Sequence, residues 1–380
     1  MARIGEVCQV LDELWPPSWA EEWDNIGLLV GDRQGTVHRC FCALDADGPV
    51  IAAAIAAGAE LVISHHPLPF RPIRSVTEDS PTGAALLLAG REQVSLFACH
   101  TNLDVAPTGV SFHLAKALGV EPEPGRPTML RVTGRDPLYK LIVFVPAGHE
   151  DSVLRAMADA GAGHVGNYSH CSFAAPGTGT FRPLAGAHPF IGQVGSLERQ
   201  SELRLEVIVP AAARRKVVAA LLAAHPYEEV AYDLIHLEND GEARGYGFVG
   251  TLPRSVRLSS FATRVARRLE SPATRFVGDP ERSIHRVAVV GGAGVDFVDD
   301  ALARGADVLV TADVRYHEAR GTEAKGLCLV DAGHQATEAV VIPAMAAELR
   351  EALHRAQLEV EVLVADPRAD VWHVPRLREP

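Results

Sequence analysis

Two adjacent histidines, His65 and His66, follow the apolar run Leu61-Val62-Ile63-Ser64 and precede Pro67. A short β-forming run that stops at a pair of imidazoles reads as a buried strand with both rings at its C-terminal edge. Pro67 biases His66 toward an extended backbone. There, neighbouring side chains point to opposite sides, so one His-His pair is able to serve two metal ions. Three further strand ends carry groups of the same kind: His100 with Asp104, Asp313 with His317, and Asp331 with His334 and Glu338. His334 and Glu338 stand four apart at a helix start and share a face. That is the chelating spacing of H-E-x-x-H with a carboxylate in second place. Taken singly, each residue reads as a solvated or capping group. As a set, the imidazoles and carboxylates make the mixed nitrogen and oxygen shell that suits zinc, iron or manganese rather than calcium or magnesium.

The elements that must position these groups alternate. Residues 1–15 carry Ile4, Val7, Leu11 and Leu14 at helical spacing, and Trp15-Pro16-Pro17 ends that helix. Strands follow at about 26–30, 40–44, 61–64 and 94–99, with helices at about 49–57, 81–90 and 110–118. This alternation predicts an α/β fold with a mostly parallel sheet and helices on both faces. In such sheets ligands bind beyond the carboxyl ends of the strands, where the histidines and carboxylates lie. The proline-rich stretch 121–127 reads as a linker. Beyond it, a strand at 139–146, a helix at 151–160, a glycine-rich region, a strand at 202–209, a helix at 211–224 and a strand at 230–235 fit a ferredoxin-like α+β module. Strands then return at 286–290, 308–311, 327–330 and 360–364, with a long helix at about 335–357. The segment Gly58-Ala59-Glu60-Leu61-Val62-Ile63-Ser64 is matched by Gly305-Ala306-Asp307-Val308-Leu309-Val310-Thr311. The chain therefore reads as two similar α/β halves, residues 1–131 and 243–380, interrupted by an inserted domain, 132–242.

Composition narrows the classes. The 380 residues suffice for two domains or more, and 47% hydrophobic with 22% charged residues is an ordinary globular balance. A formal net charge of −12 argues against a general nucleic-acid binder. No run of about 18 apolar residues predicts a membrane span, and the first 15 residues lack a signal peptide's apolar core and cleavage site. The six cysteines are scattered, with no C-x-x-C, and read as reduced thiols in a cytoplasmic protein.

The stretches Glu22-Trp23-Asp24-Asn25-Ile26-Gly27-Leu28, Ser64-His65-His66-Pro67, His100-Thr101-Asn102-Leu103-Asp104 and Asp331-Ala332-Gly333-His334-Gln335-Ala336-Thr337-Glu338 together resemble the signatures of the NGG-interacting-factor-like dinuclear-metal family. Its members are often labelled GTP cyclohydrolase 1 type 2 homologues. The middle module is similar to the PII- and CutA-like insert of the family's longer members, through Asn167-Tyr168-Ser169-His170-Cys171-Ser172-Phe173 and His225-Pro226-Tyr227-Glu228-Glu229. The resemblance implies metal ligands at His65, His66, Asp104, His334 and Glu338, two divalent ions per subunit, and a ring-shaped homohexamer. Ala312 departs from the family pattern, where many members have glycine.

The expectation that follows is a metal-dependent hydrolase acting on a small molecule: a nucleotide, a phosphoester or a cyclic amide. Glu338 would bridge, His65 and His334 would hold one ion, and His66 and Asp104 the other. His100, Asp313 and His317 would orient ligands or carry protons. The alternative is a metal-loaded regulatory or metal-trafficking ring that senses a small ligand through its insert. Gly291-Gly292-Ala293-Gly294 lacks a Walker lysine and reads as a tight turn. Gly177-Thr178-Gly179 reads as a flexible loop, able to hold an anion in a PII-like module.

Overall fold

The computed structural model describes residues 1–126, 128–366 and 370–375. The chain divides into two compact units, one made of Met1–Thr133 with Arg244–Pro380, the other of Gly134–Ala243.

The first unit holds two main sheets. One has five strands in the order Glu361–Val364, Arg39–Ala43, Leu61–Ser64, Ser95–Ala98, Gly27–Val30. All neighbours run parallel except the last pair. Every residue of Leu61–Ser64 and of Ser95–Ala98 is buried, which is why these strands are unbroken apolar runs rather than alternating ones. One face is covered by the helices Gly48–Ala56 and Pro81–Arg91. Both begin with a proline in the first turn and a side-chain cap: Asp47 accepts from Val50 N at 3.1 Å and Ser80 from Gly83 N at 3.0 Å. The other face is covered by Ile4–Leu14 and Ile342–Arg355, around Val7, Leu11, Ile63 and Leu349.

The second sheet runs Arg275–Val277, Cys328–Asp331, Val308–Thr311, Ser283–Val289, Ala243–Arg257, Met129–Arg135. Only its middle three strands are mutually parallel, and antiparallel strands flank them. The expectation of mostly parallel sheets thus describes the first sheet, while the second is mixed. The cause lies in Ala243–Arg257, whose glycines disguise a strand of 15 residues. A Cβ at Gly245 would overlap the carbonyl of Arg131, and one at Gly250 the carbonyl of Glu121, so glycine is what lets neighbouring backbone approach.

The two halves also exchange elements. The C-terminal helix Ile342–Arg355 and strand Glu361–Val364 complete the first sheet. Leu114 and Leu118 of the helix Val110–Leu118 join the core under the second sheet, beside Phe261 and Val308. The long helix expected over 335–357 is broken into His334–Glu338, a 3-10 turn Ala339–Val341, and Ile342–Arg355. The matched segments hold equivalent places. Gly58 and Gly305 both turn with positive φ, +67° and +69°, ahead of a central parallel strand.

The second unit is a four-stranded antiparallel sheet, ordered Tyr232–Leu237, Leu138–Pro146, Glu198–Pro210, Ser172–Phe181. The helices Glu150–Asp159 and Arg214–Ala224 pack on one face, giving the βαββαβ order of a ferredoxin-like module. Gly177-Thr178-Gly179 is not a loop: it lies within Ser172–Phe181, paired with Gln200, Ser201 and Glu202. All six cysteines are free thiols and five are buried. Among the described residues no helix is long and apolar enough to cross a membrane.

Candidate metal centre

Three strand ends of the first unit meet at one point. Leu61–Ser64 ends in a bend at His65 and His66, whose backbone amides donate to Ala43 O at 3.2 Å and Leu44 O at 2.8 Å. Ser95–Ala98 ends in the single helical turn Thr101–Asp104, with His100 just before it. Cys328–Asp331 is followed by Gly333, at φ +87°, and by the helical turn His334–Glu338. One turn brings His334 and Glu338 into register, so that His334 Nε2 lies 3.0 Å from Glu338 Oε2.

Glu338 is the hub, only 4% exposed. Its two oxygens face different partners. Oε2 is 3.0 Å from both His66 Nε2 and His334 Nε2. Oε1 is 3.9 Å from His65 Nε2, which is itself 3.7 Å from Asp104 Oδ1. His65, His66 and His100 offer nitrogens within 4.8 Å of one another, as do His66, His334 and Glu338 for their ligand atoms. The expected pairing of His65 with His334, and of His66 with Asp104, is therefore not the one the distances favour. They sort His65 with Asp104 about Oε1, and His66 with His334 about Oε2. The chain bends at the two histidines rather than running extended as Pro67 suggested, and their ring centroids lie 5.0 Å apart.

Each imidazole is tied from behind through its other nitrogen. His65 Nδ1 donates to Cys99 O at 2.9 Å, His66 Nδ1 to Asp45 at 2.8 Å, His100 Nδ1 to Asp24 at 2.9 Å and His334 Nδ1 to Asp313 at 2.7 Å. An outward Nδ1–H fixes the tautomer and aims the Nε2 lone pair at the centre. With hydrogens so placed, His65 Nε2 and Glu338 Oε2 are buried without a hydrogen-bond partner. Lone pairs facing each other at 3.0 Å require a proton or a cation between them, since unpaired buried acceptors are costly.

The electrostatics follow. Burial pushes the fully enclosed His65 down to about 3, keeping its ring neutral. Burial opposes charge on His66 too, but its bonds to Asp45 and Glu338 outweigh it and raise His66 to about 10. The Glu338 bond raises His334 to about 9. Burial also opposes charge on Glu338, yet the bonds from His334 and His66 hold its carboxyl well below the usual range. Burial, reinforced by the nearby Glu338 charge, pushes Asp104 well above that range. Shifts this far apart in one cluster are of the kind that gathers at functional sites.

The structure thus brings together His65, His66, His100, Asp104, His334 and Glu338. Asp313 stands one step out, behind His334. His317 does not join: it is exposed on the helix Tyr316–Ala324, its ring edge-on to Tyr316. Asp45 and Asp24 emerge as orienting groups, Asp24 also accepting from Thr101 N at 3.0 Å. The glycine run at 291–294 has a part the turn reading missed. Gly292 N donates to Thr337 Oγ1 at 3.0 Å, and a Cβ at Gly292 would overlap Glu338 Oε1. The alanine at position 312 costs nothing: Ala312 is buried, and the left-handed residue is the next one, Asp313, at φ +58°.

The chain is similar to known proteins over nearly its whole length. The Duf34/NIF3 (NGG1p interacting factor 3) family model matches residues 2–370. A protein of Halalkalibacterium halodurans named GTP cyclohydrolase 1 type 2 homolog is 42% identical over 364 residues, 96% of either chain. Its namesake in Mycobacterium leprae is 39% identical over 376 residues, 98% of this chain and 96% of that one. The crystal structure of a Bacillus cereus protein related to NIF3 superposes with a TM-score of 0.88 at 38% identity, covering 98% of this chain and 99% of that one.

Proposed function

We propose that this chain, which belongs to the Duf34/NIF3 family, is a dinuclear-metal hydrolase. The observation that carries the reading is the convergence on Glu338: it presents one oxygen to His65 and the other to His66 and His334, whose Nδ1 atoms are all committed outward. The residues fit two divalent transition-metal ions, zinc, iron or manganese, with Glu338 as the bridge. His65 and Asp104 would hold one ion, and His66 and His334 the other. Bound there, the pair of ions supplies Lewis acidity, activating water at neutral pH and offsetting charge that develops on oxygen.

The chain's own residues do the rest. Asp45, Asp313 and Cys99 O hold the ligand rings in place. His100, tied to Asp24 and 5.1 Å from the His65 ring, is positioned to carry a proton at Nε2. A cavity of about 440 Å³ borders His66 and His334, with Val50, Ile342 and Trp372 among its walls. It would seat the small-molecule substrate beside the two rings. Nucleotides, phosphoesters and cyclic amides are the candidate classes, and the relatives' name suggests a purine ring among them. A homohexamer in the cytoplasm is part of the proposal, the latter in keeping with six unpaired thiols. The regulatory reading rests on one observation, a separate cavity in the Gly134–Ala243 unit.

A screen of nucleotides, activated phosphoesters and cyclic amides against zinc-, manganese- and iron-loaded protein tests the proposal. Hydrolysis by one metal form, lost in Glu338→Gln, is the expected result. No turnover by any form would leave the regulatory reading in its place.

A further inference from the structure

The sheet of the second unit has two faces. Leu141, Val143, Leu205 and Val207 point toward its helices. Phe144 and Glu202 point the other way, into a cavity of about 800 Å³ that lies within this unit. Its walls are aromatic: the Tyr227 ring is 6.0 Å from Phe181 and 6.4 Å from Phe190. The volume falls in the range of small-molecule sites, about 300–1,000 Å³.

The most buried charged group in the cavity lining is Glu202. Glu202 is 7% exposed, on a strand between residues that pack or face solvent. The Tyr227 hydroxyl donates to its Oε1 at 2.9 Å. Tyr227 is fixed in turn: its backbone N donates to His225 Nδ1 at 3.1 Å, and His225 Nε2 donates to Phe144 O at 3.0 Å. Among the described residues the Tyr227 hydroxyl is the hydrogen-bond donor to Glu202, and no lysine, arginine or histidine forms a salt bridge with it. Arg204, its neighbour on the same face, is committed to Glu206 at 2.9 Å, and Arg182 is exposed. The strand alongside is cleared for the carboxylate. Gly177 lies directly opposite Glu202, and a Cβ at Gly179 would overlap Oε2 although the Gly179 backbone is ordinary strand. Glycine there serves space rather than conformation.

A mostly buried carboxylate with one protein donor and no ion-pair partner is well placed to take a cation. We infer that this cavity binds a small organic cation, a protonated amine, amidine or guanidine, with its N–H groups on Glu202 and its body against the aromatic walls. Three carboxylates, Glu202, Glu228 and Glu229, line the cavity against two guanidiniums, Arg182 and Arg204, and Arg204 is paired with Glu206. The Glu202 carboxylate excludes an anion at Gly177–Gly179. The site is independent of the metal centre, whose candidate ligands all lie in the other unit.

Calorimetric titration of the full-length chain with benzamidine and agmatine, and with benzamide as the neutral isostere, tests this. Saturable binding of a cation is expected, weakened at least about tenfold in Glu202→Gln. Benzamide should not bind. Because Phe190 is 52% exposed, Phe190→Leu leaves the fold intact and should weaken cation binding a few-fold. Failure of both cations to bind at concentrations up to about 10 mM would overturn the inference. Equal affinity in wild type and Glu202→Gln, or equal binding of benzamide, would overturn it as well.

Discussion

Gly292→Ala probes the centre without removing any ligand. Gly292 has φ +61°, and a Cβ there would overlap Glu338 Oε1 while lying 3.2 Å from its Cδ and 3.3 Å from His334 Cε1. Two effects separate. A non-glycine residue in the left-handed region costs about 1–2 kcal/mol, which a fold of ordinary stability tolerates. Restoring van der Waals contact requires the carboxylate to move on the order of 1 Å. Metal–ligand distances tolerate only about 0.2 Å, so the shift should detach Oε1. Loss of an outer partner of a ligand lowers metal affinity about 10- to 100-fold, or about 1.4–2.7 kcal/mol, and displacing the ligand itself should lower it at least as much. Competition titration against a chromophoric chelator measures the loss, and a thermal melt of the metal-free protein checks the fold. A variant that holds two ions with wild-type affinity would refute the steric argument.

Asp45→Ala removes the acceptor behind His66 and should weaken one ion about 10- to 100-fold while sparing the other, read by chelator competition. Two ions held at full strength would count against the orienting role. His66 and His334 are raised to about 10 and about 9, above the ordinary histidine value of 6.5. In metal-free protein their bonds therefore add stability in full below about pH 6.5, and it is lost as pH rises through 9–10. A metal must displace these protons, so uptake near neutral pH should release protons and tighten as pH rises toward that range. Calorimetry in buffers of different ionisation enthalpy counts them, and no release would contradict the assignment. Thr133 Oγ1 lies 3.4 Å from Arg244 O, so residues 134–243 should be replaceable by a short linker. The remaining core should fold and bind the same ions; an aggregated, metal-free product would show that the second unit is needed.

The grouping of the candidate residues was more legible than the frame around it. His65, His66, Asp104, His334 and Glu338 stand at strand ends or one helical turn apart, so type and spacing put them among the candidates, and the family resemblance singled them out. Their pairing was not legible, because it depends on which way each ring turns around the Glu338 carboxylate. Asp45 and Asp24 carry the same signal as the ligands, an acid just past a strand or in a distinctive motif, but only a three-dimensional partner gives each its role. His317 shows the reverse error: four residues after Asp313, it has the right spacing on a helix that faces away from the cluster. The strand Ala243–Arg257 was hidden because its glycines, poor strand formers by propensity, are required by close backbone approach. The return of Glu361–Val364 to the first sheet was equally hidden, since local patterning does not tell which of two similar sheets a strand joins.

Anomalous diffraction from crystals of metal-loaded protein tests the central claim most directly. Two peaks are predicted, one shared by His65, Asp104 and Glu338 Oε1, the other by His66, His334 and Glu338 Oε2. A single peak, or ions that pair His65 with His334 and His66 with Asp104, would contradict the account.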